Sequence, residues 1–429
     1  MKNPSSSNNE QCNKAAIEDN MLLTMFDSSS DSNITNQDAL DERIGFLDAV
    51  RGSSIGLQNG KPPTSKIFGA VFHMLRTGNS IQLIVASYML LVDLEKHFPR
   101  AYLSGVDDSL LSSNSPPELV VAEEAWSPLI VGLDNATAVS EAGDKQSGGP
   151  LDPSSFHLLI EELAETLTES NIQATSMKPL QNLLLFQYLV IVLESDFLPR
   201  NVTMNWSLQR ESLLNMLLVE KNSESQLSKN CHTALSFALL EVLKNTRVSV
   251  EKLLVMIMAL DTSRKKADIE GHTSRADGPR TPLVDIILDD LAYNKDSVPH
   301  FLKIFSEPKS KLEIVVQYLW KYITKPSTRT RRSNGFTEDT TFEGALKCFS
   351  NNTGTKSIIK KIGADVVQLL LAHGFQAQLS ILSERNANDN IGGDKEEGAN
   401  ALVDLCQTFI SAFDSLRSTD RQENHFSAF

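Results

Sequence analysis

Apolar residues recur through this chain at the three- and four-residue spacing of one helix face, and no run of them alternates with the period of two that a half-buried strand requires. Residues 249–332 show it most clearly. Four apolar segments stand there between helix start and stop signals. Val250 to Leu260 reads as a buried helix, followed by a charged loop at 261–280. Thr281 is placed to cap, and Pro282 to open, a helix that turns Val284, Ile287, Leu288 and Leu291 inward. Ser297-Val298-Pro299 opens another, with Val298, Phe301, Leu302 and Phe305 inward. Ser310 and Glu313 then read as a capping box for a helix whose inward row is Leu312, Val315, Val316, Leu319 and Ile323, ended by Pro326.

The same grammar holds on the N-terminal side. Residues 1–40 are rich in Ser, Asn and Asp and are expected to stay disordered, since they cannot bury enough surface to offset ordering entropy. Residues 41–131 form N-terminal helical hairpins. One helix carries Ile67, Val71, Phe72 and Leu75; the next, apolar nearly all round, is stopped by Pro99. A Gly/Ser/Asp/Ala linker at 132–151 is the best domain boundary. Asp152-Pro153 restarts the helices, and Phe197-Leu198-Pro199 closes a second hairpin of the same polarity pattern. Residues 152–416 make the main body, with loops at 261–280, 326–341 and 383–398, a helical stretch from Ile358 to Leu382 with a break expected near Gly374, and a last helix at about 399–416. Residues 417–429 are a mobile tail. Roughly a dozen helices in hairpins, with no significant β-sheet, predict an all-α fold of the HEAT or armadillo solenoid kind.

Composition limits what such a fold does. The formal net charge is −14, which disfavours nucleic-acid binding by the chain as a whole and leaves room only for a local basic patch. The four cysteines lie far apart in sequence, so neither a disulfide framework nor a zinc knuckle is suggested. The densest apolar run, Leu183 to Leu193, is too short to cross a bilayer, and the chain reads as soluble and intracellular. There is no G-x-G-x-x-G, no H-E-x-x-H and no nucleophile elbow, and GLQNGK at 56–61 lacks the residues of a phosphate loop. His157 and Glu161 share a helix face, which alone does not make a metal site. No catalytic activity, cofactor, metal or small-molecule substrate is expected.

The candidate functional residues are therefore charged or aromatic. Lys321, Lys325, Arg329, Arg331 and Arg332, preceded by Lys309 and Lys311, concentrate positive charge in an acidic chain, and suit a nuclear-import signal, a phosphate-facing patch or a solvated face. Arg264, Lys265 and Lys266 form a weaker cluster. Asp285 and Asp289 lie on one helix flank and are expected to meet a basic partner if they act at all. Trp126 is a candidate partner anchor, with core packing as the alternative; Trp206 and Trp320 are read as core.

The segment LLVMIMALDTSRKKADIEG, followed by TSRADGPRTP and IILDDL, resembles the plant negative regulator of systemic acquired resistance, also described as a suppressor of inducible immunity. So do KLEIVVQYL, KYITKP and RTRR, and the earlier EEAWSP and MNWSL. The resemblance implies an armadillo-like protein of the plant nucleus. It implies a non-catalytic subunit of the structural-maintenance-of-chromosomes five/six complex, partnered by another helical non-SMC element and reaching DNA through the complex. It also implies repression of defence genes and a part in the DNA damage response, recombination and repair. The alternative is a direct DNA-binding repressor that uses the local basic patch.

Overall fold

The structure, a computed structural model, describes residues 36–56, 60–104, 118–122, 126–131, 149–168, 177–203, 205–218, 244–274, 282–323, 340–349, 352–388 and 395–427. They are predominantly helical, as the periodicity predicts, and they fall into two compact units. One comprises Met1–Thr233 with Lys252–Arg280, and the other Ala234–Glu251 with Thr281–Phe429.

In the first unit, α1 (Asn36–Ser54) buries Phe46, Leu47 and Val50. It begins five residues before the expected start of order at Asp41. Next come α2 (Ser65–Thr77), burying Ile67, Val71, Phe72 and Leu75, and α3 (Ile81–His97), whose N-cap Ser80 accepts a hydrogen bond from the Leu83 amide at 3.1 Å. After α3 the chain forms a short antiparallel hairpin, β1 (Ala101–Ser104) against β2 (Glu118–Val121), with Ala101 opposite Val121. Four-residue strands are too short for alternation to mark them, which is why they were not expected. A single parallel bridge joins Leu129 to Leu151.

Asp152 caps α4 (Pro153–Thr168) through a 2.7 Å hydrogen bond from the Ser155 amide to its carboxylate. The next helix, α5 (Lys178–Val202), runs through Pro199 instead of stopping at it. It packs against α2, α3 and α4, so 152–202 belongs with the N-terminal hairpins, and the linker at 132–151 does not separate two packing units. Gln181 on α5 donates a buried 2.6 Å hydrogen bond to the Gly78 carbonyl in the turn between α2 and α3. Two short helices, α6 (Trp206–Gln209) and α7 (Leu213–Leu218), follow.

Then comes α8 (Lys244–Glu270), a 27-residue helix. It absorbs residues 261–270, which were expected in a loop, because Ala267 is buried and carries the inward row onward. The helix ends at Gly271, whose φ of 76° suits a residue without a Cβ. Thr281 lies outside the described residues, and Pro282 stands at the N-cap of α9 (Leu283–Tyr293).

In the second unit, the turn Lys295–Ser297 leads into α10 (Val298–Ile304), then α11 (Pro308–Tyr322). The Ser310/Glu313 capping box is not formed. The N-cap is Glu307, three residues earlier, and Ser310 is buried within the helix and donates to Glu307 at 3.1 Å. Val315, Leu319 and Ile323 of the expected row are buried, joined by Ile314 and Tyr318, while Leu312 and Val316 are half-buried. Glu251, on the first part of α8, accepts from the Ser306 amide at 2.8 Å, the Ser306 hydroxyl at 2.5 Å and the Glu307 amide at 3.1 Å, holding the loop before α11.

The remaining helices are α12 (Phe342–Cys348), α13 (Asn352–Ile362), α14 (Ala364–Asn388) and α15 (Lys395–Ser427). The break expected near Gly374 lies at Gly363 instead, where φ is 91°. Gly374 sits in the middle of α14, and a Cβ there would fall 2.3 Å from the Phe342 ring, so its role is close approach and not helix breaking. The loop expected at 383–398 is shortened from both sides, and α15 takes in most of the expected C-terminal tail.

Two of the described helices, Lys178–Val202 and Ala364–Glu384, are long and apolar enough to cross a membrane, contrary to the expectation from the Leu183–Leu193 run alone. The first turns most of that apolar surface into its own unit, where it also holds the buried charges Asp196 and Arg200. Helical hairpins packed side by side in each unit agree with the expected all-α class; the two short strands are the exception among the described residues.

Candidate interaction surfaces

The basic cluster does not form one surface on α11. At about 100° per residue, Lys311 and Lys321 stand roughly 200° and 120° round the helix from Lys309. Lys309 is exposed. Lys311 is half-buried, and burial holds its ammonium pKa below the usual range against the opposing pull of Glu251, while Arg247 lowers it further. Lys321 turns to the acidic pair that the sequence singled out. Its Nζ lies 3.0 Å from Asp289 Oδ2 and 3.9 Å from Asp285 Oδ1, and it donates to the Asp285 carbonyl at 2.7 Å. The basic group that Asp285 and Asp289 meet is thus in the same chain, on the end of α11. Tyr322 completes the cluster, donating to Asp289 Oδ1 at 2.8 Å and to the Leu288 carbonyl at 3.2 Å. Burial first, and then the Asp289 carboxylate, hold the Tyr322 hydroxyl far above its ordinary range, so it remains a donor. Lys325, Arg329, Arg331 and Arg332 lie outside the described residues.

Trp126 is half-buried and stacks on Phe68, with ring centroids 5.2 Å apart and planes within 8°, while Phe72 meets it edge-on. Its ring fastens the segment before Leu129 to α2. Trp206 is buried, with the Arg264 guanidinium 5.9 Å from its ring centroid, so Arg264 packs as part of the fold. Lys265 and Lys266, expected in a loop, are exposed on the helical surface of α8. Trp320, read as core, is only half-buried and donates to the Thr341 carbonyl at 3.1 Å. His157 and Glu161 pair at 3.0 Å as an i,i+4 contact, and no group of three or more His, Cys, Asp or Glu among the described residues is placed to hold a metal ion.

Sequence reasoning missed the strongest electrostatic feature of the first unit. Asp196 is fully buried on α5. It accepts from Arg200 Nε at 3.2 Å and from the Leu213 amide at 2.8 Å, and Arg100 Nε stands 3.6 Å away. Arg200 also donates to the Leu208 carbonyl at 3.0 Å. The cluster joins the chain beside β1, α5 and the start of α7. Beside it, burial pushes the Glu95 carboxyl up to about 7, helped by Asp196 and opposed by a hydrogen bond from Ser195 and by Arg100. The signal that pointed to this network was an Asp–Arg pair four residues apart on a helix otherwise apolar nearly all round.

Among the described residues, the candidate charged and aromatic side chains are for the most part engaged in contacts within the chain itself. The model of the SNI1 middle domain matches residues 100–222 and 219–307, and that of the SNI1 C-terminal domain matches residues 323–428. The negative regulator of systemic acquired resistance SNI1 of Arabidopsis thaliana is 40% identical over 418 residues, covering 93% of this chain and 89% of the relative. No solved structure matches. With both family domains present and identity at this level over nearly its whole length, the chain belongs to the SNI1 family.

Proposed function

We propose that this chain is a negative regulator of systemic acquired resistance that works by binding other proteins and not by catalysis. The observation that carries the reading is the 40% identity, over 93% of the chain, to a relative bearing that name. The finer reading is a nuclear scaffold subunit of the structural-maintenance-of-chromosomes five/six complex, beside another helical non-SMC element. It would act in the DNA damage response and recombination and in repression of defence genes. Its support is the family resemblance in LLVMIMALDTSRKKADIEG and KLEIVVQYL. A direct DNA-binding repressor is disfavoured by the net charge of −14 and by the engagement of Lys321 with Asp285 and Asp289.

The test is complementation of an Arabidopsis line lacking its SNI1, with co-precipitation from nuclei of the complemented plants. The reading expects defence-gene expression to return to its low basal level and chromosome-maintenance subunits to be recovered. Failure to restore repression would overturn the regulatory role. Restoration without those subunits would overturn the complex assignment alone.

A further inference from the structure

Three ionisable groups surround Lys311 in the second unit, Arg247, Glu251 and His373, and only Glu251 is an acid. The frame is set by Glu251 on the first part of α8. It accepts from the Ser306 amide at 2.8 Å and the Glu307 amide at 3.1 Å, which ties that helix to the start of α11. Arg247 precedes Glu251 by four residues and Lys311 follows Glu307 by four, so each stands one turn from the tie on the same side of its helix. The third helix is α14, which packs along α11 and brings His373 within electrostatic reach of Lys311.

Two nitrogens of this cluster, Arg247 Nε and His373 Nδ1, are buried and have no hydrogen-bond partner among the described residues. An unmet buried polar atom costs about 1–3 kcal/mol, so two together call for an explanation. Glu251 does not meet them, because its oxygens are taken by Ser306 and Glu307. The surplus of positive charge acts on the members themselves. Burial first, and then Lys311, holds the His373 imidazole below its ordinary range, and Lys311 is lowered by burial and by Arg247. Yet Arg247, Lys311 and His373 are each half-buried, so every one keeps part of its surface in water. Arginine and lysine only donate hydrogen bonds, and so does protonated histidine, so the chemistry that satisfies the three is an anion's. With His373 neutral, Arg247, Lys311 and Glu251 leave one positive charge over. A dianion that draws a proton onto His373 brings the cluster to neutrality. A phosphate group on a side chain carries a charge of about −1.5 to −2 and presents three acceptor oxygens, one for each helix. A carboxylate brings one charge and two oxygens.

We infer that Arg247, Lys311 and His373, from three helices of the second unit, form a binding site for a phosphate dianion, the group that a phosphorylated serine or threonine presents. The site adds a ligand class to the reading of the chain as a protein-binding regulator. It does not rest on that reading, because it is tested on the purified chain alone.

The test is calorimetric titration of the full chain with inorganic phosphate and with phosphoserine blocked at both ends. The expected result is saturable binding with Kd on the order of 1 mM, in keeping with so small a ligand. Arg247→Gln, Lys311→Gln and His373→Gln each weaken it at least about tenfold, the loss expected when a charge-assisted hydrogen bond goes. Lys309→Gln, which removes the same charge from an exposed lysine beside the site, leaves Kd unchanged. Bound phosphate also moves the NMR signals of the His373 ring toward those of imidazolium. Binding of either probe with this pattern of variants supports the site, and the tighter probe identifies the source as a phosphorylated side chain or the free ion. Absence of binding at about 20 mM of both probes overturns the proposal, and so does an equal loss with Lys309→Gln. A short DNA duplex that binds more tightly than both, and is lost in the same three variants, overturns it in favour of a strand backbone. Circular dichroism confirms that each variant folds; should one unfold, the other two decide the question.

Discussion

Gly374→Ala should destabilise this protein, against the ordinary expectation for a glycine in the middle of a helix. Alanine is favoured over glycine there by about 1 kcal/mol, and α14 runs through Gly374 without a kink residue. The opposing effect is steric. A Cβ at 374 would lie 2.3 Å from Cε2, 2.8 Å from Cζ and 3.0 Å from Cδ2 of Phe342. The ring is 3% exposed on a helix fixed by the Thr341 cap, so it has little room to retreat. Overpacking of this kind costs about 1–3 kcal/mol, which leaves a net loss of up to about 2 kcal/mol after the propensity gain. Because the two contributions oppose each other, the decisive measurement is a double-mutant cycle with Phe342→Leu. Urea unfolding followed by far-UV circular dichroism gives each free energy at constant m-value. With the ring gone, Gly374→Ala should become neutral or stabilising, with a coupling of about 1–3 kcal/mol between the sites. An equal effect of Gly374→Ala in both backgrounds, or a gain in stability with Phe342 present, would show that the ring does not set the identity of residue 374.

Two further predictions concern the buried charges of the first unit. Asp196→Ala should cost about 3–5 kcal/mol, because it leaves Arg200 buried without its carboxylate and the Leu213 amide without its acceptor; a loss under 1 kcal/mol in urea unfolding would contradict the assigned role. Glu95, with its carboxyl pushed up to about 7, holds its proton more tightly folded than unfolded, so its contribution to stability is fully present below pH 4.5 and is lost as pH rises toward 7. Between those limits the parent should lose about 2–3 kcal/mol relative to Glu95→Gln, and stability curves that stay parallel from pH 4.5 to 8 would refute the shift.

Helices written on one face were legible residue by residue: the rows of α2 and α9, and the Asp152 cap, stand where periodicity and capping place them. Boundaries went astray where a tertiary contact outweighed a local signal. Pro199 did not end α5, because Arg200, one residue on, is tied to Asp196 and the Leu208 carbonyl and holds that last turn in place. The helix break falls at Gly363 and not near Gly374, since which glycine breaks a helix depends on backbone angle and on the neighbour packed against it, and neither is written locally. The candidate surfaces were legible only as residue types. Sequence separated Asp285 and Asp289 from Lys321 by more than thirty positions, and only the packing of α9 near the end of α11 shows that they satisfy one another. Trp126 was placed beside a loop by its neighbours, while its stacking on Phe68 depends on a hairpin nearly sixty residues earlier.

The division of α8 between Glu251 and Lys252 has a consequence for synthesis on the ribosome. Glu251 secures Ser306 and Glu307, which lie ahead in the chain, whereas Lys252 reaches back 2.6 Å to Glu194, already made. Vectorial folding of the first unit therefore has to wait for residues up to 280, and by then the part of α8 that belongs with the second has emerged with its partners still to come. A truncated message ending near residue 280 would release a chain whose first unit is complete but whose Glu251 lacks the Ser306 and Glu307 groups that it holds in the finished fold. Interleaving of this kind makes the full-length product, more than either half, the species that escapes aggregation and quality control.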